Sequence, residues 1–362
     1  MHIVIDARII NSSTGRYVER LLSYLQHIDT KNRYTVLVPS KDLHYWKPAA
    51  SNFTVMSADF DNYSVAEQTG LLQLLNTLKP DLVHFCMPQQ PILYKGRSVT
   101  TFHDLTLVRT YNSDKNWLIF KAKQLVGKQV FKKVARKANR IIAISEYTKK
   151  DLLNFVDIPE GKISVIYEAG EITTTESKTY KLPFKQFILY VGNQSDYKNI
   201  KRLTNAHQEL LKTHPKLGLV LAGRLNEAAQ KTQTYVQQKG YKQIHFTDFV
   251  SDPELNWLYQ HTEAYVFPSL MEGFGLPGLE AMAFGAPVVS SNATCLPEVY
   301  GKAAEYFDPL SVSDMAAAIS RVIENPKRQA QLTKAGVAQF KKYSWKKMAE
   351  ETHAVYMAAL KD

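Results

Sequence analysis

The sequence predicts two α/β domains, each a doubly wound parallel sheet, and three observations carry that prediction. The chain has 362 residues, too long for one ordinary compact core and suited to two of roughly 150–200 residues. Short apolar runs alternate with longer amphipathic ones through both halves, as α/β units around a parallel sheet require. Between the halves, Glu171–Lys178 is polar, β-branched and without a core pattern, which reads as a linker. The expected divisions are residues 1–170, a linker over 171–184, a second domain over 185–343 and a terminal helix over 344–362.

In chain order, the first half offers strands at His2–Arg8, Tyr34–Pro39, Leu82–Cys86, Ser98–Phe102, Arg140–Ile144 and Ile163–Tyr167. Helical spacing of apolar residues appears between them at Gly15–His27, Val65–Leu78, Asp114–Lys137 and Glu146–Phe155. The second half repeats the pattern with strands at Phe187–Val191, Leu217–Ala222, Ile244–Phe246, Ala264–Phe267 and Ala286–Ser290. The closing helix starts from a Ser344 cap ahead of Trp345. Open sheets of this kind bind ligands at the carboxyl ends of their strands, so a cleft between two such domains is the expected site.

Composition excludes other classes. With 45% apolar and 22% charged residues, disorder, collagen and coiled coil are poor fits. Two cysteines, Cys86 and Cys295, cannot build a disulfide framework or a four-thiolate zinc site, and they suit a reducing compartment. His2–Asp6 runs into a strand with no signal-peptide pattern before it, and no run of about 18 apolar residues could span a bilayer. The expectation is a cytoplasmic protein. The net charge of +11 is concentrated, because Trp117–Arg140 carries eight basic residues and no acidic one.

The richest segment is Phe267–Met282, where a strand ends, a glycine-bearing loop follows and Pro277 sits in the expected first turn of a helix. Amides of Gly273, Phe274, Gly275 and Leu276 at the positive end of that helix would bind phosphate without a metal. Glu272 in the loop and Glu280 one turn into the helix would suit hydroxyl-rich ligands such as a ribose and a hexose. The plainer alternative is a solvated Glu272 and a Glu280 paired with a nearby base.

Glu272 and Glu280, seven residues between them, lie inside Pro268-Ser269-x-x-Glu272-Gly273-Phe274-Gly275-Leu276-Pro277. This resembles the signature of retaining glycosyltransferases of family 4, which have the GT-B fold. The resemblance continues through Ala286–Ser290, Leu296–Val299 and Phe307–Pro309, and upstream through Tyr190–Gly192, Lys198-Asn199 and Leu221–Gly223. In the first half it takes in Asp6–Arg8, Gly15–Tyr17, Phe102–Asp104 and Ile144–Glu146. It covers nearly the whole chain and is more specific in the second half.

The resemblance implies roles for particular residues. Glu272 would contact donor-sugar hydroxyls and stabilise the cationic anomeric centre, Glu280 would hold the nucleotide ribose, and Lys198 would neutralise the diphosphate. The Gly15 loop would close on the phosphates, and His103 would face the donor sugar near the acceptor. The reaction would retain configuration by front-side attack and need no metal. The terminal helix would cross back to the first domain. The sequence departs from the family in two places. Asn193 and Tyr197 stand where many members have an arginine, so a second phosphate cation either comes from Arg202 or Arg224 or is missing. Ser12-Ser13-Thr14-Gly15 replaces a run of glycines, and bulkier residues restrict backbone approach to phosphate.

Three further features have competing readings. A histidine after an apolar strand is often a structural group, but Asp104 beside His103 at a strand's carboxyl end favours function. Asp59-Phe60-Asp61 resembles a metal-binding tripeptide, a pattern common by chance, and reads as a solvated turn with no metal assigned. In Trp117–Arg140, Val126, Val130, Phe131, Val134 and Ala138 fall on one side and Lys121, Lys128, Lys132, Arg136 and Arg140 on the other, with Lys123 and Lys137 off pattern. That helix either packs with a solvated basic face or docks on an anionic membrane surface.

The expected function is therefore hexosyl transfer to a glycan or lipid-linked acceptor. The tandem of Lys198-Asn199 with Leu296–Val299 looks most like bacterial mannosyltransferases, which points to GDP-mannose as donor. A UDP-hexose donor, or a chain that only binds a sugar nucleotide, are the alternatives. Gly273-x-Gly275-x-x-Gly278 has the form of a nucleotide-binding glycine motif, but it sits late in the chain and lacks the acidic residue ending a following strand, which disfavours a nicotinamide enzyme. Nucleic acid is not an expected partner, because the basic residues cluster in one helix rather than along an aromatic groove.

Overall fold

The computed structural model describes residues 1–12, 14–110, 117–172 and 175–362, and only the backbone of 117–123. The chain divides into two compact units. The first is Met1–Val108 with Lys121–Glu168 and Ser344–Asp362, and the main body of the second is Ala169–Tyr343.

The first unit holds a seven-stranded parallel sheet: β1 (His2–Asp6), β2 (Arg33–Val38), β3 (Phe53–Ser57), β4 (Leu82–Phe85), β5 (Ser98–Phe102), β6 (Arg140–Ala143) and β7 (Ile163–Val165), in the order β3-β2-β1-β4-β5-β6-β7. Ile3 pairs with Tyr34 on one side and Leu82 on the other. Every residue of β1, β4 and β5 is buried, as central strands with both faces covered must be. The strand order reverses between β1 and β4, and the carboxyl ends share one edge.

The second unit repeats the plan with six parallel strands: β8 (Gln186–Val191), β9 (Leu217–Ala222), β10 (Ile244–Phe246), β11 (Ala264–Phe267), β12 (Val288–Ser291) and β13 (Ala304–Phe307), in the order β10-β9-β8-β11-β12-β13. Its reversal lies between β8 and β11. Lys178 N–H bonds the Pro253 carbonyl at 2.9 Å, and Asn256 Nδ2 donates to the Thr175 carbonyl at 3.1 Å, so this part of the polar segment lies against helix Asp252–His261. Thr173 and Thr174 of that segment lie outside the described residues.

The terminal helix Trp345–Lys361 packs within the first unit. Its buried residues Trp345, Met348, Ala349, Thr352, Val355, Tyr356 and Ala359 follow helical spacing along one face. The Tyr356 hydroxyl meets His84 Nδ1 at 2.5 Å, His353 lies 3.0 Å from Asp29, and Arg140 makes a two-pronged contact of 2.8 Å with Asp362. Burial pushes His84 down to about 3, so its imidazole is neutral.

Several local expectations need correcting. Sequence periodicity did not reveal β3 or β13, both edge strands. β3 buries only Phe53, whose ring stacks on Tyr34 at 4.3 Å, and an edge strand lacks the continuous apolar run of a central one. The stretch Val65–Leu78 opens with a π-helical turn at Glu67–Leu71 and becomes α-helical over Leu72–Leu78. The basic helix runs Trp117–Lys137, and Asp114 lies outside the described residues. Val126 is 62% exposed instead of facing the core, because Phe131, Val134, Ala135 and Ala138 already fill the packed stripe. Among the described residues, no helix is long and apolar enough to cross a membrane.

Candidate active site

In the second unit, β11 delivers the loop after Phe267 to the carboxyl edge, and helix Leu276–Ala283 starts behind it. Gly275 precedes that helix at φ +94°, a conformation that side-chain-bearing residues adopt at a cost. A Cβ there would sit 2.5 Å from the Tyr300 hydroxyl and 2.7 Å from Leu296. Tyr300 is fully buried and donates to the Gly275 carbonyl at 2.6 Å. The Leu296–Val299 motif thus forms most of a short helix, Leu296–Tyr300, that buttresses the glycine loop.

Glu272 is fixed from both sides of its peptide. Its N–H donates to Thr294 Oγ1 at 3.2 Å, and Cys295 Sγ donates to its carbonyl at 3.3 Å. Its carboxylate meets Lys198 Nζ at 2.6 Å, with the two side chains 12% and 11% exposed. Burial works against the Lys198 ammonium, but the adjacent Glu272 carboxylate outweighs it and Lys198 titrates above the usual lysine range. The ammonium also lies over the rings of Tyr197 and Phe267, at 5.1 and 5.5 Å.

Asn199 places Lys198. It takes a left-handed conformation at φ 64°, which asparagine tolerates. Its buried amide donates to the carbonyls of Pro268 at 3.0 Å and Pro309 at 2.8 Å, tying three loops of the carboxyl edge together. Arg202 donates to the other end of that amide at 2.8 Å. One Arg202 nitrogen is therefore engaged in shaping the loop. Arg202 also borders a cavity of about 340 Å³ with Lys201 and Lys231. Arg224 is exposed and borders a separate cavity of about 490 Å³ with Leu225, Asn226, Asp248 and Phe249. Glu280 is half-buried in the second turn of helix Leu276–Ala283, and Phe274 is buried edge-on to Tyr343.

In the first unit, His103 follows β5. Its Nε2 lies 3.0 Å from the Cys86 carbonyl and its Nδ1 lies 3.2 Å from Glu168, while the Tyr17 ring meets it edge-on at 4.9 Å. A carbonyl and a carboxylate only accept hydrogen bonds, so the two contacts are both satisfied when each ring nitrogen carries a proton. Burial lowers the affinity of His103 for a proton, but the bond to Glu168 and its charge overcome this and the pKa is raised. Both contacts favour the protonated form of His103, in which it is a hydrogen-bond donor. Asp104 accepts the Thr106 N–H at 2.8 Å. Gly15 starts helix Gly15–Ile28, its N–H bonded to the Ser12 carbonyl at 3.0 Å. A Cβ there would collide with the Ile9 and Ile10 carbonyls, so this glycine permits a close turn. Ser13 lies outside the described residues.

Asp59 is occupied by the Ser40 N–H and hydroxyl. Among the described residues, no group of three or more His, Cys, Asp or Glu is placed to hold a metal ion. In the basic helix, Lys132 lies 5.3 Å from the Phe155 ring centre, and Lys137 donates to the Ile92 carbonyl. Arg136, Leu125 and Val126 are exposed. The side chains of Lys121 and Lys123 lie outside the described residues. Sequence reasoning missed Glu168, Thr294 and Tyr300. Glu168 had one available signal, an acidic residue just past a strand at the same carboxyl edge as His103.

Together, a cation, a carboxylate and a helix start suit an anionic, hydroxyl-bearing ligand. Residues 173–339 match the family described as Glycosyl transferases group 1, and residues 14–169 match Glycosyltransferase Family 4. The chain is 29% identical over 273 residues to the O-antigen chain mannosyltransferase B of Escherichia coli, covering 72% of this chain and 70% of that one. It is 28% identical over 352 residues to the serotype-specific mannosyltransferase WbdA of Escherichia coli, covering 88% of this chain but only 41% of the relative. In structure it resembles sucrose-phosphate synthase from Thermosynechococcus elongatus, with a TM-score of 0.78, 16% identity and 99% and 98% of the two chains covered. The Anabaena HepE protein in complex with UDP and glucose aligns with a TM-score of 0.74 at 16% identity, over 98% of this chain and 99% of that one. The chain is a glycosyltransferase of GT-B fold, related to bacterial enzymes of the group 1 and family 4 glycosyltransferases.

Proposed function

We propose that the chain is a retaining mannosyltransferase that takes mannose from GDP-mannose and passes it to a glycan or lipid-linked acceptor without a metal. The Lys198–Glu272 contact of 2.6 Å beside the Gly275–Leu276 helix start carries this reading. The second unit takes the donor. Lys198 swings from Glu272 to the departing diphosphate, and the amides of Gly273, Phe274, Gly275 and Leu276 cradle the phosphates. Glu272, freed of its partner, meets the sugar hydroxyls and the developing positive charge at the anomeric carbon. Glu280 holds the ribose, and Arg224 with Phe249 receives the base. Arg202 supports the phosphate loop through Asn199.

The first unit takes the acceptor. His103, oriented by Glu168, donates a hydrogen bond to an acceptor sugar oxygen. Mannose as the transferred sugar is supported by the names of the curated relatives, which include O-antigen chain and serotype-specific mannosyltransferases. A lipid-linked acceptor is supported by the helix Trp117–Lys137, where exposed Leu125 and Val126 lie a turn or more from Lys133 and Arg136. A basic helix that also exposes apolar residues is what an anionic membrane surface attracts.

A thermal-shift screen in EDTA with GDP, UDP, ADP and their sugar conjugates tests the donor. A ligand at 100 times its dissociation constant adds about 2.7 kcal/mol of apparent stability. Stabilisation by GDP and GDP-mannose alone is expected. Stabilisation only by UDP compounds would overturn the donor, and silence from every nucleotide would overturn the donor-binding role of the second unit.

A further inference from the structure

The geometry points to Tyr63 as a stacking platform for a neutral pyranose of the acceptor, at the point in the first unit where the strand order reverses. Tyr63 lies in the loop after β3 at φ 64°. A bulky residue in the left-handed region is an outlier, and such outliers persist only where the surroundings hold them. Here the surroundings do so at three points. The Tyr63 N–H donates to Glu67 Oε2 at 3.0 Å, and Glu67 is 1% exposed in the π-helical turn. Glu67 in turn pairs with Arg8, just past β1, at 3.0 Å. Gln89, just past β4, donates its amide to the Tyr63 hydroxyl at 2.5 Å.

Gln89 incurs a penalty for that bond. It is 3% exposed and its Oε1 has no hydrogen-bond partner among the described residues. A buried acceptor without a partner needs an explanation. Turning the amide over would aim that oxygen at the Tyr63 hydroxyl but strand the amide hydrogens. Two unfavourable features, a strained tyrosine and an orphaned oxygen, thus converge on holding one ring in place. Tyr63 as a residue is 51% exposed, so packing alone does not account for its placement.

Arg8 after β1 and Gln89 after β4 mark the crevice where an open sheet binds its ligand, and Arg8 Nη2 also reaches the Gln89 carbonyl at 3.4 Å. An aromatic face carries negative charge density that attracts the weakly positive C–H groups of a sugar ring. The exposed neighbours Asp61 and Asn62 bring polar groups for its hydroxyls. The inference rests on the glycosyltransferase reading and adds to it the residue that recognises the acceptor.

The test is a nucleotide-free titration of the full chain, by saturation-transfer NMR, with methyl α-D-mannopyranoside and α-1,2-mannobiose. Saturable binding to the wild type is expected, at least tenfold weaker in Tyr63→Gly and within about threefold of wild type in Tyr63→Phe. Glycine suits the backbone angle at this position, so Tyr63→Gly keeps its fold and its melting temperature stays within a few degrees of wild type. Wild-type affinity in folded Tyr63→Gly would overturn the platform, as would the absence of saturable binding to either sugar by the wild type. The donor reading fails or stands separately, in the nucleotide screen.

Discussion

Neutralising one member of the Lys198–Glu272 pair leaves the other charged, mostly buried and alone. At 2.6 Å and an effective dielectric of about 20, the attraction between unit charges is about 6 kcal/mol. Much of that offsets the desolvation of two side chains only 11% and 12% exposed. Lys198→Gln or Glu272→Gln should each destabilise the second unit by about 3 kcal/mol, the low end for breaking a buried pair. At 2–4 °C per kcal/mol for a unit of this size, the melting transition should fall by about 6–12 °C. The double variant removes both charges, so its loss should be smaller than the sum of the singles by about 2 kcal/mol. Urea unfolding of the four proteins, followed by tryptophan fluorescence, measures the cycle. Additivity to within about 0.5 kcal/mol would refute the claim that these groups are coupled.

His103 supplies a pH signature. Its folded pKa is raised above 6.5, so its stabilising contribution is fully present below pH 6.5 and is lost as pH rises through the folded value. The stability advantage of wild type over His103→Gln should therefore shrink between pH 6 and pH 9 in denaturant titrations, and turnover should fall in the folded variant. Gly275→Ala forces a side chain into φ +94° against Tyr300 and Leu296, and should cost about 2–4 kcal/mol by thermal unfolding. Neutralising Lys128, Lys132 and Arg136 together should reduce sedimentation with anionic liposomes severalfold at low salt, and unchanged binding would remove the membrane from the account.

The legible parts of the molecule are those whose signal is local. Central strands such as Ile3–Ile5 and Leu219–Leu221 announce themselves as apolar runs because both of their faces are covered, and Gly275 and Pro277 mark a loop turning into a helix. The edge strand Phe53–Ser57 was invisible because only one of its residues is buried and the rest read as loop. The long-range partners were equally hidden. Glu168 is 65 residues from His103, and no spacing rule links them, so the histidine's preference for its protonated form emerges only once β5 and β7 bring their ends to one edge. Val126 was misplaced because a two-sided helical pattern does not say how wide the packed stripe is. Asn199 was noted beside Lys198, but the reason for an asparagine there, two carbonyls to satisfy and a left-handed turn to hold, is a property of the folded loops.

The central claim is that Lys198 and Glu272 act on a sugar nucleotide. Its most direct test is release of nucleoside diphosphate from GDP-mannose, and in parallel from UDP-glucose, by wild type, Lys198→Gln and Glu272→Gln in EDTA. GDP release from GDP-mannose is expected of the wild type, with at least a hundredfold loss in either variant, the scale that follows when a group that stabilises developing charge is removed. Equal release by wild type and both folded variants would contradict it.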